Sequence, residues 1–185
     1  NFPINPSPWY AFKLWAPEDR LIKLILHYEH GAHRYPPTIS QDGEHWEKLD
    51  SNFVAIKDST DAILNLNIGP DTLWLAAQEI ASSAHVKDWC EKQAAHQSTN
   101  FKTIGKSKLG RDLYLLDINE GEPEKKEIIA VISRQHPPEV TGYLAMQAFV
   151  EEILADHTLA NNFRKKYRVL VFPLMNPDGV DLGHW

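Results

Sequence analysis

A histidine and a glutamate three residues apart are the residues of this chain best suited to metal chemistry. His136 and Glu139 flank Pro137-Pro138 and follow residues 127–133, an apolar run typical of a buried strand. Imidazole nitrogen and carboxylate oxygen are both good zinc ligands. By itself, however, the spacing favours a polar loop before a helix, in which Glu139 is only a favourable charge in the first turn.

Composition excludes several classes of protein. The 185 residues are 43% hydrophobic and 24% charged, values typical of a globular protein with room for one large or two small domains. A net charge of −6 without a basic stripe argues against nucleic acid as a partner. No apolar run approaches the roughly 20 residues of a membrane span, so no membrane partner is expected. The single Cys90 excludes an intrachain disulfide.

The first part of the chain has the pattern of an antiparallel β domain, which we place at residues 1–80. Apolar residues alternate with polar ones from Ile22 to Tyr28 and from Leu64 to Ile68, which is typical of strands with one wet face. Asp42-Gly43 between them is a hairpin turn signal. Several short strands separated by turns predict a small β-sandwich or barrel.

A helix and then an α/β pattern follow. Ser82 or Ser83 is a suitable N-cap for a helix that buries Val86, Trp89 and Cys90, and we interpret residues 81–97 as a connector helix. Strands at 101–104 and 113–118 predict a hairpin. The apolar runs at 128–132 and 167–174 predict strands buried on both faces. A helical pattern between them, from Tyr143 to Leu154, completes a βαβ unit.

This topology predicts where polar residues meet. Parallel strands have their carboxyl ends at the same edge of the sheet, where open α/β sheets bind ligands. His136 and Glu139 follow the first of the two strands, and Asn176-Pro-Asp-Gly179 follows the second. We expect the second segment to be a turn that shapes the site, because each of its residues favours turns. Arg134, at the end of the first strand, could reach this cleft, but an arginine at a strand end is expected to be exposed.

Three ordered motifs resemble a known family, the zinc metallocarboxypeptidases of carboxypeptidase A type. They are Ser133-Arg-Gln-His-Pro-Pro-Glu139 before a helix, Pro173-Leu-Met-Asn-Pro-Asp-Gly-Val180 after a strand, and Gly105-Lys-Ser-Lys-Leu-Gly-Arg-Asp-Leu-Tyr114. The His-Pro-Pro-Glu variant and the preceding β domain are most similar to the cytosolic carboxypeptidase-like branch. The resemblance is strong over residues 98–185 and looser over residues 8–80.

The resemblance implies a fold, a cofactor and a set of site residues. The fold would be an α/β protein with an all-β N-terminal domain: an antiparallel β-sandwich, then the opening portion of a mixed-sheet carboxypeptidase domain at 98–185. His136 and Glu139 would be two of three zinc ligands. The third ligand, the general base and the arginine that polarises the scissile carbonyl match no residue here, so no catalytic residue is assigned and all three are expected beyond Trp185.

The implied function is hydrolysis of C-terminal peptide bonds by a zinc-activated water, with a peptide or protein C-terminus as substrate. The chain alone is expected to be inactive, and the missing C-terminal part of the same protein would be a partner. The resemblance implies a cytoplasmic location; because the sequence begins with Asn1, a secreted or periplasmic one stays open. The alternatives are a zinc amidohydrolase or deacylase of related fold, and a non-catalytic module that binds peptide or carbohydrate.

A further group of histidines is a candidate for a second metal site. His27, His30 and His33 are evenly spaced, but on an extended strand His30 points to the opposite face, and His27 and His33 stand roughly 20 Å apart. We therefore expect no metal there, unless Gly31 bends the segment.

Overall fold

A computed structural model describes residues 8–184. The predicted domains 1–80 and 98–185 also include Asn1–Ser7 and Trp185, which lie outside the described residues. The chain divides into two compact units, of which one runs to Ile80 and the other spans Ala81–His184. Each unit buries its own apolar cluster. Within residues 8–184, no helix is both long enough and apolar enough to cross a bilayer.

The first unit consists of two antiparallel sheets. Its described strands are β1 (Ala11–Leu14), β2 (Arg20–His27), β3 (Thr38–Ser40), β4 (Glu47–Lys48), β5 (Val54–Ile56), β6 (Asp61–Ile68) and β7 (Leu73–Ala76). The strand order is β1-β7-β3-β4 in one sheet and β2-β6-β5 in the other. Side chains from both sheets share one core, with Leu64 and Leu75 fully buried. This confirms the predicted antiparallel β fold.

The local signals of the first unit are also confirmed. Along β2, Ile22, Leu24 and Leu26 are half-buried, whereas the residues between them are exposed. The partner strand β6 buries Leu64, Leu66 and Ile68 on the facing side. β3 and β4 form a hairpin, and its loop contains Gly43 at φ +81°, a conformation that favours glycine.

The structure does not gather the three histidines into a metal site. His27 closes β2, and its Nδ1 lies 2.5 Å from Asp61 Oδ1. His33 instead has its Nδ1 3.1 Å from the hydroxyl of Tyr28. No cluster of three or more metal-ligating side chains occurs anywhere in residues 8–184.

The second unit is α/β with a mixed sheet. In chain order its described elements are α1 (Ser83–Gln93), β8 (Thr99–Lys106), β9 (Asp112–Ile118), β10 (Glu127–Ile132), α2 (Val140–Leu154), α3 (Thr158–Lys166), β11 (Tyr167–Phe172) and α4 (Pro177–Leu182). The sheet order is β10-β11-β9-β8. β10 and β11 are parallel and the other pairs are antiparallel, which confirms both the hairpin and the βαβ unit.

Helix α1 begins where the sequence predicts. The Ser82 hydroxyl accepts a hydrogen bond from the His85 amide, and the Ser82 amide donates one to His85 Nδ1. The helix ends at Gln93, earlier than predicted, because residues 94–98 turn into β8. Val86, Trp89 and Cys90 are buried in the core of the second unit, so this helix packs as part of that unit.

The prediction that β10 is buried on both faces is wrong. Ile128 and Ile132 are each 57% exposed. β10 is the last strand of the described sheet, so it has one strand neighbour, whereas β11 lies between two strands and fully buries Val169 and Val171. The apolar run identified a strand correctly but could not show its place in the sheet.

The second core gives a direct stability prediction. Leu116 on β9 is fully buried, so Leu116→Ala should lower the free energy of unfolding by about 2–5 kcal/mol. Leu159 on α3 is 71% exposed, and Leu159→Ala should change it by less than about 0.5 kcal/mol. Urea unfolding followed by far-UV circular dichroism measures both. Equal losses for the two variants would contradict the assigned core.

Candidate metal centre

The turn that follows β10 carries the two predicted zinc ligands. After Ile132 the chain leaves the sheet, and residues 136–139 form a turn in which the Glu139 amide donates to the His136 carbonyl at 3.2 Å. Pro137 and Pro138 occupy the two central positions and are buried. Proline fixes its own φ near −65°, so these two residues restrict the turn to few conformations.

The two side chains converge. His136 Nδ1 lies 2.7 Å from Glu139 Oε1, and the His136 amide donates to Glu139 Oε2 at 3.1 Å. Both side chains remain accessible, with 57% and 46% of their surface exposed. The ring nitrogen of His136 and a carboxylate oxygen of Glu139 are therefore in direct contact on the surface of the second unit.

Glu139 sits one position earlier relative to α2 than the sequence suggested. The helix begins at Val140, so Glu139 is its N-cap rather than a residue of its first turn. Its carboxylate makes no capping hydrogen bond and turns back to His136 instead. The backbone explains this, because Glu139 has φ −77° and ψ 46°, outside the helical range.

The carboxylate of Glu139 is held in its ionised form. Burial alone would raise the pKa of Glu139, but hydrogen bonds from the side chain and amide of His136 outweigh it and lower the pKa. The ionised carboxylate is the form that binds a metal ion. The donor set, one nitrogen and one oxygen, suits zinc. Within residues 8–184 no cluster of three or more metal-ligating side chains occurs, so no third ligand joins this pair there.

The exit of β11 lies against the exit of β10. Backbone hydrogen bonds continue past the strands, from the Met175 amide to the Ser133 carbonyl and from the Asn176 amide to the Arg134 carbonyl, both at 3.1 Å. Asn176 then caps α4, its Oδ1 accepting from the Gly179 amide at 2.9 Å. A side chain at Gly179 would collide with Asn176, since a Cβ atom there would lie 2.6 Å from Nδ2.

A polar network that the sequence did not reveal fixes this second turn. Asp178 accepts hydrogen bonds from the Ser107 hydroxyl at 2.7 Å, from the Leu109 amide at 3.0 Å and from Arg111 Nη1 at 2.8 Å. Arg111 Nε also donates to Asp181 at 2.8 Å. The tip of the β8–β9 hairpin is thereby attached to α4. The signal was present as the Gly105–Tyr114 motif, but its partner could not be identified without the fold.

The expectation that Arg134 is exposed is wrong. Its relative exposure is 4%, and its φ of +51° makes it the single non-glycine residue with positive φ among residues 8–184. The guanidinium carbon lies 5.6 Å from the centre of the Tyr143 ring, and Nε and Nη1 are buried without a hydrogen-bond partner in the described chain. The Arg134 carbonyl accepts from the Asn176 amide, a long-range contact that a strand-end position does not predict.

Comparison with known proteins identifies the family. Residues 86–185 match the family described as zinc carboxypeptidase, and this is more than half of the chain. The chain therefore belongs to the zinc carboxypeptidase family. The match confirms the resemblance inferred from the three motifs, and the mixed α/β architecture of the structure agrees with it.

Curated relatives match the chain over part of its length. Cytosolic carboxypeptidase 2 of Xenopus tropicalis is 35% identical over 89 residues, which cover 45% of this chain and 9% of that protein. Cytosolic carboxypeptidase 6 of Mus musculus is 31% identical over 86 residues, covering 44% of this chain and 16% of that protein. The matched segment thus spans less than a fifth of either relative.

Solved structures match nearly the whole chain at low identity. A metallo-carboxypeptidase from Burkholderia cenocepacia has a TM-score of 0.81 at 19% identity, covering 95% of this chain and 49% of that one. A metallo-carboxypeptidase from Pseudomonas aeruginosa, in complex with (2-guanidinoethylmercapto)succinic acid, has a TM-score of 0.74 at 24% identity over 93% of this chain and 47% of that one. These likenesses establish the fold, and this chain spans about half the length of either structure.

The Asp178 network predicts a pH-dependent stability. Burial opposes ionisation of Asp178, but hydrogen bonds from Ser107, Leu109 and Arg111 outweigh it and lower its pKa. A lowered folded pKa stabilises the fold above the unfolded pKa of about 4, and this stabilisation is lost as pH falls through the folded pKa. Asp178→Asn should therefore lower the thermal midpoint at pH 7, and the difference from the wild type should shrink below about pH 4.

Thermal unfolding from pH 2.5 to 7 measures this, with Asp88→Asn as control because Asp88 is exposed on α1 of the same unit. The control should show little change at any pH. An Asp178→Asn midpoint equal to that of the wild type at pH 7 would show that the network does not stabilise the unit.

Proposed function

We propose that this chain is part of a zinc-dependent carboxypeptidase, in which His136 and Glu139 are two of the zinc ligands. The observation that carries the proposal is the 2.7 Å approach of His136 Nδ1 to Glu139 Oε1, on a turn placed at the exit of a parallel strand. Family membership supports peptide-bond hydrolysis over the alternative of a non-catalytic binding module. The substrate is proposed to be the C-terminus of a peptide or protein.

His136 and Glu139 are suitable zinc ligands, but they do not complete the coordination of the ion. Zinc in this kind of site lowers the pKa of a bound water to about 7 and polarises a carbonyl group. Here Glu139 supplies an ionised oxygen, His136 supplies a nitrogen, and the two prolines hold both side chains in place. The third ligand, the general base and the carbonyl-polarising arginine are proposed to come from residues outside this sequence. The 185-residue chain is accordingly expected to bind zinc weakly and to be inactive.

Domain organisation and location are part of the same proposal. We infer that residues 1–80 form an accessory β domain and residues 98–185 the opening of the catalytic domain, with helix α1 preceding it. The names of the curated relatives place those proteins in the cytosol, and we extend that location to this chain.

The zinc proposal is tested by metal binding rather than by activity. Zinc titration by competition with a fluorescent chelator should show that His136→Ala weakens zinc binding at least about tenfold. Even substitution of a residue that only supports a metal ligand typically costs that much in affinity. Binding should also weaken as pH falls, because protons compete with zinc for imidazole and carboxylate. X-ray absorption at the zinc edge would report the loss of one nitrogen ligand.

The chain offers a matched control for this experiment. His157 Nε2 lies 3.0 Å from Glu152 Oε1, and both side chains are exposed, so this is a second histidine–glutamate pair on the surface of the same unit. His157→Ala should leave zinc affinity unchanged. The ligand assignment fails if both variants bind zinc like the wild type, or if His157→Ala produces the larger loss.

A further inference from the structure

The loop between β3 and β4, residues 41–46, is held by several hydrogen bonds although it lies at the surface. Asp42 Oδ1 accepts from the amides of Glu44 and His45, both at 2.8 Å. The Ser40 hydroxyl, at the end of β3, donates to the same oxygen at 3.0 Å. Because these bonds already restrict the loop, it would lose little further conformational freedom on binding a ligand. The loop is therefore a preorganised support for the side chains that it presents to solvent.

The same loop fixes the ring of Trp46. Its indole Nε1 donates to the Gly43 carbonyl at 3.1 Å. Gly43 in turn has φ +81° and packs against the Trp74 ring, since a Cβ atom there would lie 3.2 Å from that ring. Trp46 is half-buried, but it is not part of the apolar core that the described residues of the first unit form. A large aromatic side chain that is held in place outside the core is suited to contact a ligand.

Trp46 lines an open cavity of about 420 Å³. The apolar side chains of Ile39 and Leu73 also line it, and both pack against the core of the first unit. The exposed side chains of Gln41 and Glu47 add polar groups. Ile39 lies opposite Glu47 in the β3–β4 pairing, so an apolar and a charged side chain are neighbours on one face of the sheet. The cavity thus combines an aromatic ring, an apolar surface and a polar rim.

The charged groups that line this cavity are mainly acidic. Among the described residues of its lining are Asp42, His45 and Glu47 but no lysine or arginine. Hydrogen bonds from the amide and side chain of His45 lower the pKa of Asp42, so its carboxylate is ionised. The same contact raises the pKa of His45, whose Nδ1 lies 2.7 Å from Asp42 Oδ2. When protonated, His45 therefore neutralises Asp42, and the exposed carboxylate of Glu47 remains as a net negative charge near pH 7.

We propose that this cavity binds the side chain of a lysine or arginine residue of a peptide or protein partner. Such a side chain has an apolar stem and a charged end that donates hydrogen bonds and accepts none. Its stem would contact Ile39 and Leu73, and its charged end would meet the Trp46 ring and the Glu47 carboxylate. Tryptophan is the aromatic side chain that attracts cations most strongly. The binding depends neither on zinc nor on the function proposed above.

The first unit already contains a contact of this kind. Lys13 Nζ lies 3.9 Å from the centre of the Trp74 ring. A saccharide also presents an apolar face to an aromatic ring, but its hydroxyl groups both donate and accept hydrogen bonds, whereas carboxylates only accept them. The lining of the cavity therefore matches a cation better than a neutral saccharide.

Two ligands with the same aliphatic side chain test the requirement for a positive charge. N-acetyl-lysine amide carries a terminal ammonium group that N-acetyl-norleucine amide lacks, and each can be titrated into the 185-residue chain and followed by NMR. The lysine ligand should bind more tightly. Glu47→Gln should weaken binding of the lysine ligand about 2- to 5-fold, as expected for an exposed ion pair, and should leave the norleucine ligand unaffected.

Substitutions of Trp46 test the aromatic contact. Trp46→Ala should weaken binding of the lysine ligand about 2- to 30-fold, the range expected for a cation–π contact. Trp46→Phe should give a smaller loss, because phenylalanine attracts cations less strongly than tryptophan. If Trp46→Ala does not fold, Trp46→Phe and the exposed-site variant Glu47→Gln decide the question.

Trp15 and Glu18 provide matched controls in the same unit. Trp15 is 65% exposed, the side chain of Glu18 is 79% exposed, and neither residue lines the cavity. Trp15→Ala and Glu18→Gln should therefore leave binding of the lysine ligand unchanged. His136→Ala should also leave it unchanged, which separates this site from the proposed zinc ligands.

Three results would contradict the assignment of this cavity to a basic side chain. The site is refuted if the lysine and norleucine ligands bind equally well, or if Glu47→Gln and Trp46→Phe both bind the lysine ligand like the wild type. Methyl β-glucopyranoside serves as the saccharide probe. If it shifts the resonances of the residues that line the cavity and the lysine ligand does not, the cavity binds a saccharide instead.

Discussion

The parallel pairing of β10 with β11 is the constraint on which the candidate site depends. The ladder runs from Glu127 opposite Tyr167 to Ile132 opposite Phe172, and it continues beyond both strands through the amides of Ser133, Met175 and Asn176. Because these bonds fix the two exit loops against each other, the turn that carries His136 and Glu139 cannot shift along the sheet edge. The buried side chains of β11 hold this register, since a slip would move them out of the core.

The two turns at this edge use their polar groups in different ways. In the Asn176–Gly179 segment the side chains are occupied within the protein: Asn176 caps α4, and Asp178 is bound by Ser107, Leu109 and Arg111. In the 136–139 turn the polar atoms face one another and remain accessible. The Asn176–Gly179 turn is therefore suited to support, and the 136–139 turn is suited to ligand binding.

The sequence predicted the features that depend on local pattern. The alternation along β2 and β6, the β8–β9 hairpin and the apolar run of β11 follow from residue spacing, and the structure confirms them. Features that depend on tertiary neighbours could not be predicted from residue spacing. The apolar run of β10 could not show that its strand neighbour lies on one side only, and nothing near Arg134 in the sequence indicates that its side chain is buried. The partner of Arg111 is 67 residues away in the chain, beyond the reach of any local pattern.

The distinction between local and long-range contacts also applies to the assembly of a metal site. His136 and Glu139 are brought together by a four-residue turn, and its two prolines reduce the conformational freedom that metal binding would otherwise have to restrict. A third ligand from a distant segment depends instead on the fold of the whole domain, because closing a long loop costs entropy that only tertiary packing offsets. In the zinc site proposed for this chain, the ligand pair would thus be organised locally, whereas a third ligand would depend on the long-range part of the domain. Arg134, two residues before His136, illustrates the long-range part of this division, since its carbonyl is bound by the Asn176 amide from the exit of β11.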